Sequence, residues 1–197
     1  MKWLKLFKLK YRLRGKPVRL NLGAGQTQVP GWESTDIDTL NLLKREDWLA
    51  IAPPNSVDAM LSEHVWEHLT EAQGLQAARL CLEFLRSGGH LRVAVPDGLN
   101  PDPVYREHVR PGGVGPGADD HKVLYTHVTF ASLFQQAGFE VTLLEFWNEQ
   151  GQFHAGDWNP EDGLIRRSKR FDPRNQQGTL GYTSLILDAH KAESPTR

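Results

Sequence analysis

Arg19-Leu-Asn-Leu-Gly-Ala-Gly25 is an apolar strand that runs straight into a glycine turn, and the acidic pair of Ser34-Thr-Asp-Ile-Asp38 follows it closely. A buried strand ending at Gly23-x-Gly25 leaves main chain bare for a ligand, and a carboxylate at the tip of the next strand can accept ribose hydroxyls. Two glycines alone are equally an ordinary strand-to-loop turn; Asp36 downstream favours the binding role. The spacing then selects the ligand. In dinucleotide units the turn opens into a helix that faces the pyrophosphate, and the acid comes about 20 residues later. Here only Gln26 to Glu33 intervene, interrupted by Pro30-Gly31, so no such helix fits. No Lys followed by Ser or Thr completes a phosphate-binding loop either. A nucleoside without a phosphate to be gripped remains.

Further motifs extend the pattern. Gly31-Trp-Glu-Ser-Thr-Asp-Ile-Asp38, Val57-Asp-Ala-Met-Leu-Ser-Glu-His-Val-Trp-Glu-His-Leu69, Gly88-Gly-His-Leu-Arg-Val-Ala-Val-Pro-Asp97 and His121-Lys-Val-Leu-Tyr-Thr126 follow one another in order. Together with the glycine turn, the chain after Lys16 resembles class I S-adenosylmethionine-dependent methyltransferases, closest to a compact bacterial, type 11-like group with a shortened first helix. The resemblance implies a Rossmann-like α/β fold: a mostly parallel seven-stranded sheet, helices on both faces, and a last strand inserted antiparallel beside the fifth. It implies S-adenosylmethionine as cofactor and methyl transfer as activity. By the same likeness Asn21, Leu22, Gly23, Ala24 and Gly25 line the methionine side, Asp36 holds the ribose with Ile37 and Asp38 beside it, and Asp47-Trp48 falls where the adenine is contacted. The glycine loop carries Thr27 where a third glycine is expected, and the third strand is faint.

Other residues that can carry chemistry cluster near strand ends. Glu63, His64, Glu67 and His68 lie just beyond Val57–Leu61, the fourth strand in the family's order, where an open α/β sheet presents its ligand-binding residues. Glu63 and His64 read as the rim of the cofactor pocket, and His68 as a structural helix-start residue. Two His four apart can chelate a metal on a helix, but the His-Glu-x-x-His order is missing and no third ligand is evident, so no metal is expected. Asp97 occupies the matching rim of the next strand, as a substrate contact. His121 closes a long loop beside Asp119-Asp120, where neighbouring carboxylates raise an imidazole's pKa. It is either a catalytic base or a structural or substrate contact. The stretch 148–178 mixes aromatics with Arg166, Arg167, Lys169 and Arg170. Those bases either grip a phosphate or carboxylate on the acceptor or pair with Asp157, Glu161, Asp162 and Asp172 in a solvated hairpin.

The remaining elements follow from pattern. A helix is expected over Thr70 to Arg86, stopped by Gly88-Gly89, and a strand over His90 to Val95. Pro96 to Gly117 reads as a long functional loop. Thr129 caps a helix running to Gln136 that ends at Gly138. Phe139 to Trp147 and Tyr182 to Ala189 are late strands with no long helical pattern between them, which favours an antiparallel pair closing the sheet.

With 197 residues the chain suits one domain, 16–197, preceded by a basic arm, 1–15. The first 19 residues hold eight of the 23 Lys and Arg and none of the acids, so a net charge of −1 conceals a basic segment on an acidic remainder. The overall balance gives no reason to expect nucleic acid as a partner. The arm lacks an apolar run long enough for a signal peptide or membrane span, so a soluble, cytoplasmic protein is expected. Lys2, Lys5 and Lys8 share a helical face suited to weak contact with an anionic membrane surface. The alternation from Phe7 to Arg14 suits instead a solvated or sheet-edge arm that strays from the domain. Cys81, the single cysteine, sits in an apolar stretch without a base or cation, as a buried thiol in a reducing compartment would. Two functions remain: transfer to a small-molecule or glycan acceptor, or a catalytically inactive S-adenosylmethionine-binding module acting as a sensor or assembly partner.

Overall fold

The computed structural model describes residues 9, 15, 17–175 and 178–193. The strands are β1 (Arg19–Leu22), β2 (Glu33–Ser34), β3 (Val57–Glu63), β4 (Leu85–Pro96), β5 (Glu140–Trp147), β6 (Phe153–Ala155) and β7 (Ser184–His190). They form one sheet in the order β2-β1-β3-β4-β7-β5-β6. The pairs β1–β2, β1–β3 and β3–β4 are parallel, whereas β7 lies antiparallel between β4 and β5. That is the inserted last strand of the class I methyltransferase fold.

Seven strands are reached by a different route from the family pattern. No third strand of that pattern exists among the described residues; after β2 the chain turns at Asp36 to Leu40 and enters helix α1 (Arg45–Ile51). The seventh place is taken by β6, which pairs antiparallel with β5 inside the 148–178 stretch. No helix intervenes between Gly23 and Trp32.

Helix α2 (Glu71–Phe84) starts at Thr70, whose hydroxyl accepts the Gln73 amide while the Gln73 side chain accepts the Thr70 amide. It ends at Leu85, earlier than the glycine pair, because Leu85 already joins β4 opposite Val57. The loop after β4 contains helix α3 (Pro103–Val109), capped by Asp102 with Pro103 in its first turn. Helix α4 (His127–Ala137) is capped by Thr126, with Thr129 returning the bond from the third helical position rather than serving as cap. Gly138 ends it with φ at 106°.

Alternation in the strands sorts two cores. Leu20, Leu22, Met60, Leu91, Val93 and Leu187 face α1, α2 and α4, and Cys81 is buried among them, its thiol pKa pushed up by burial. Leu9, one of the two described residues of the basic arm, is 2 % exposed and joins this core, so at that point the arm does not stray from the domain. The amphipathic membrane-surface reading rests on residues outside those described. On the opposite face Ala59, Leu61, Ala94 and Ile186 are covered by Val29, Trp32, Trp158, Leu164 and Ile165. Trp158, Leu164 and Ile165 therefore bring the 148–178 stretch down onto the core instead of leaving it a solvated hairpin. Arg92 locks them down: buried on β4, it binds Asp188 of β7 through both carboxylate oxygens (2.7 and 2.8 Å) and donates to the Asn159 and Gly163 carbonyls at 2.8 Å. Its guanidinium lies 4.8 Å from the Trp158 ring centroid.

Candidate functional site

The carboxyl ends of β1, β3 and β4 open onto a cavity of about 780 Å³, within the range of small-molecule sites. The glycine turn forms one wall. Gly23 and Gly25 both have positive φ, at 64° and 54°, but their reasons differ. A β-carbon on Gly23 would collide with Val65 Cγ2, so its bareness serves the packing of the next motif. At Gly25 nothing stands within 4 Å of that position, and the main chain faces open space. The Gly25 amide donates to Asp36 Oδ2 at 2.8 Å, and the Ile37 amide to Oδ1 at 2.7 Å. Each oxygen keeps a second lone pair for a ligand hydroxyl. Ile37 is 72 % exposed beside it, a bare apolar side chain suited to stacking under a flat ring. Asp38 is exposed one residue further.

Asp36, Ile37 and Asp38 stand beside the cavity and are not among the residues lining it, and four further expected cofactor contacts are buried away from it. Trp48 is 1 % exposed: its indole stacks on Phe84 at 5.3 Å and its Nε1 donates to the Leu42 carbonyl. Asp47 is buried and accepts the Asn41 amide. Both belong to α1, which packs its apolar side into the helical core rather than following a third strand to the sheet edge. Leu22 is fully buried in that same core, and Asn21 is 3 % exposed beneath the turn, its carbonyl accepting the Thr35 amide. Ala24 does line the cavity.

Glu63 and His64 line it as well. Glu63 receives the Arg166 amide at 3.1 Å and the Arg167 amide at 3.0 Å, which fixes both residues across the mouth. His64 has φ at 58°, a left-handed conformation costly for a side chain with a β-carbon. Its Nε2 lies 3.0 Å from Ser184 Oγ and its amide donates to the Ala94 carbonyl.

Asp97 is not a rim residue. It is fully buried, with Oδ1 accepting the Leu99 amide and Oδ2 the Trp147 amide, and so braces the loop against β5. Burial raises its pKa to about 6, against the pull of those two amides and His127. Arg166 and Arg167 line the cavity; Arg170 points elsewhere and lies over the Phe171 ring. Arg174 takes that place, unforeseen in the sequence, with its guanidinium 3.8 Å from the Tyr182 ring centroid and paired to Asp172. Of the hairpin acids, Asp172 alone makes a described ion pair with these bases; Arg166 and Arg167 approach Glu63 instead.

His68 and His121 meet on the cavity wall, their ring centroids 4.8 Å apart. His68 belongs to a 3-10 turn, Trp66–His68, and is more than a helix-start residue: its Nδ1 lies 3.3 Å from Asp120 Oδ2. His121 is 9 % exposed, with Nδ1 on the Val109 carbonyl at 2.6 Å. Glu67, also in the turn, is 1 % exposed and neither carboxylate oxygen has a hydrogen-bond partner. The His64–His68 pair considered in the sequence is not the group that forms; Glu67, His68 and His121 instead bring three potential metal ligands together.

No protein-family model and no curated protein matches the chain. Solved structures do. A methyltransferase dependent on S-adenosylmethionine from Archaeoglobus fulgidus superposes with a TM-score of 0.54 at 14% identity, over 94% of each chain. Another from Thermotoga maritima gives 0.53 at 12% identity, over 96% of this chain and 89% of that one. The [4+2]-cyclase SpnF gives 0.51 at 13% identity, over 98% and 81%. Among the described residues no helix is long and apolar enough to cross a membrane. The chain has the fold of class I S-adenosylmethionine-dependent methyltransferases.

Proposed function

We propose that the chain binds S-adenosylmethionine and transfers its methyl group to a small molecule or glycan bearing an anionic group. The observation that carries this is the meeting of the bare Gly25 main chain and the Asp36 carboxylate, 2.8 Å apart, at the carboxyl edge of a sheet with this topology. The residues fit the cofactor: Asp36 for the ribose hydroxyls, Ile37 for a face of the adenine, Gly23 to Gly25 for the methionine portion. Asp38 is a second acceptor at the ribose. Asp47 and Trp48 have no part.

When bound, the cofactor supplies a methyl group already activated by its sulfonium. The chain's task is then alignment of the acceptor and exclusion of water. Arg166, Arg167 and Arg174 put three cations on the mouth of the cavity, which suits a phosphate or carboxylate on the acceptor. Glu63 is a positioning residue that holds the first two in place. An acceptor hydroxyl would need to lose its proton, and His121, with Nδ1 committed to Val109, offers Nε2 for that purpose.

Calorimetric titration with S-adenosylmethionine and S-adenosylhomocysteine, with NAD as control, tests the reading. Binding of both, lost in Asp36→Ala, is expected. No binding in the folded protein would overturn it. Binding without methyl transfer to any of a panel of phosphorylated sugars and small carboxylic acids would return the chain to the inactive module, a sensor or assembly partner.

A further inference from the structure

We infer that Glu67, His68 and His121 form a site for a divalent transition-metal ion of the zinc type. One ligand atom from each lies within 4.8 Å of the other two. Tetrahedral coordination at about 2.0–2.1 Å needs such atoms roughly 3.3 Å apart, so closing the set would take approaches of at most about 1.5 Å.

Three observations point to a cation and not to a chance cluster. Glu67 is a carboxylate withdrawn from water with neither oxygen hydrogen-bonded. His64 Nδ1 lies 3.2 Å from Oε1, an ion pair when that imidazole is protonated, which leaves Oε2 without a partner among the described residues. A buried carboxylate in that condition costs several kcal/mol unless it is paired or coordinates a metal. The two imidazoles are oriented as metal ligands are: each gives Nδ1–H to an oxygen, Val109 O for His121 and Asp120 Oδ2 for His68, which leaves Nε2 with its lone pair. The two halves are also held in register by main chain, since the Lys122 and Val123 amides both donate to the Glu67 carbonyl at 2.7 and 3.3 Å.

Two nitrogens and one carboxylate oxygen select zinc, cobalt(II) or iron(II) over magnesium or calcium, which prefer oxygen alone. All three residues line the cavity, so the remaining coordination position opens towards it. On the methyl-transfer reading, an acceptor hydroxyl bound there would be acidified by the ion, with His121 as ligand in place of base. The site itself does not depend on that reading.

The test is metal binding to the full chain, freed of metal with a chelator and then titrated with Zn²⁺ in competition with a chromophoric chelator. Co²⁺ serves as the spectroscopic probe. One ion per chain is expected, with a visible Co²⁺ spectrum of imidazole and carboxylate coordination. His121→Ala should abolish stoichiometric binding, and Asp120→Asn should weaken it by about 10-fold or more. Glu67→Gln gives a readout insensitive to misfolding: it removes the buried charge, so the metal-free variant should be at least as stable as the parent, while Zn²⁺ no longer raises its unfolding midpoint. A second imidazole pair, His90 and His190 with ring centroids 6.0 Å apart, lies across β4 and β7; His190→Ala should change nothing, and if it, and not His121→Ala, removes the ion, the metal sits on that pair and the inference fails. Absence of stoichiometric binding in the parent chain would likewise overturn it. S-adenosylmethionine titration of the metal-free chain keeps this outcome separate from that of the cofactor reading.

Discussion

Replacing Arg92 by Met should unfasten the face of the sheet that carries the cavity's arginines. The guanidinium is 2 % exposed and stands directly opposite Asp188 across the β4–β7 pair. Removing it leaves the Asp188 carboxylate buried without its cation and strips the Asn159 and Gly163 carbonyls of their donor. Breaking a buried pair from one side costs about 3–5 kcal/mol. A domain of this size is stable by about 5–15 kcal/mol, so about a fifth of the total or more is at stake. Most of the loss is a stranded charge, and Arg92→Met/Asp188→Leu should therefore recover about 2 kcal/mol or more of it, leaving mainly the buried Gly163 carbonyl, at about 1–3 kcal/mol. Urea unfolding followed by tryptophan emission measures both variants, and limited proteolysis between 148 and 178 shows whether that segment lifts first. A cost below about 1 kcal/mol for Arg92→Met, or a double variant no more stable than the single one, would refute the reasoning.

Other consequences can be checked more briefly. Trp48→Ala should cost about 3–5 kcal/mol in urea unfolding while the folded fraction keeps its affinity for S-adenosylmethionine, because the indole fills core and not the cofactor site. Gly23→Ala should destabilise by more than Gly25→Ala, since only the former collides with Val65; the same titrations should show Gly25→Ala weakening cofactor binding. The Asp97 carboxyl has its pKa raised from 3.8 to about 6, so the folded chain holds that proton more tightly than the unfolded one. Its contribution to stability is therefore complete below pH 3.8 and fades as pH rises through about 6, by at most about 3 kcal/mol. The destabilisation caused by Asp97→Asn should accordingly be largest near pH 4 and shrink towards pH 7.

The parallel half of the sheet was legible because buried strands announce themselves as short apolar runs, as in Arg19 to Leu22 and Val57 to Leu61. The approach of Asp36 to Gly25 was legible because a turn, with no helix, separates them. Where periodicity was lacking the reading faltered. Helix α3 lies in a stretch rich in Pro and Gly, although Asp102-Pro103 is a start signal. Only the family resemblance links Trp48 to the adenine, and the 7 residues of α1, too few to display an apolar face, give no signal that its indole is core. Trp158, Leu164 and Ile165 follow no period, since an irregular segment can cover a sheet with whichever side chains its turns deliver. The metal ligands stayed hidden for a topological reason: His121 reaches Glu67 only after the chain has traversed α2, β4 and α3.

The segment 148–178 does two jobs with one set of anchors. It seals a face of the core and holds Arg166 and Arg167 over the cavity, so if those arginines are the acceptor contacts proposed above, acceptor preference cannot drift there as freely as it would in a loop hung from a finished domain. Transplanting this segment to another sheet of the same topology would carry the arginine arrangement with it only if Arg92, Asp188 and Glu63 travelled too. Without them the graft would arrive as an unfolded insertion, and its arginines would have nothing to stand on.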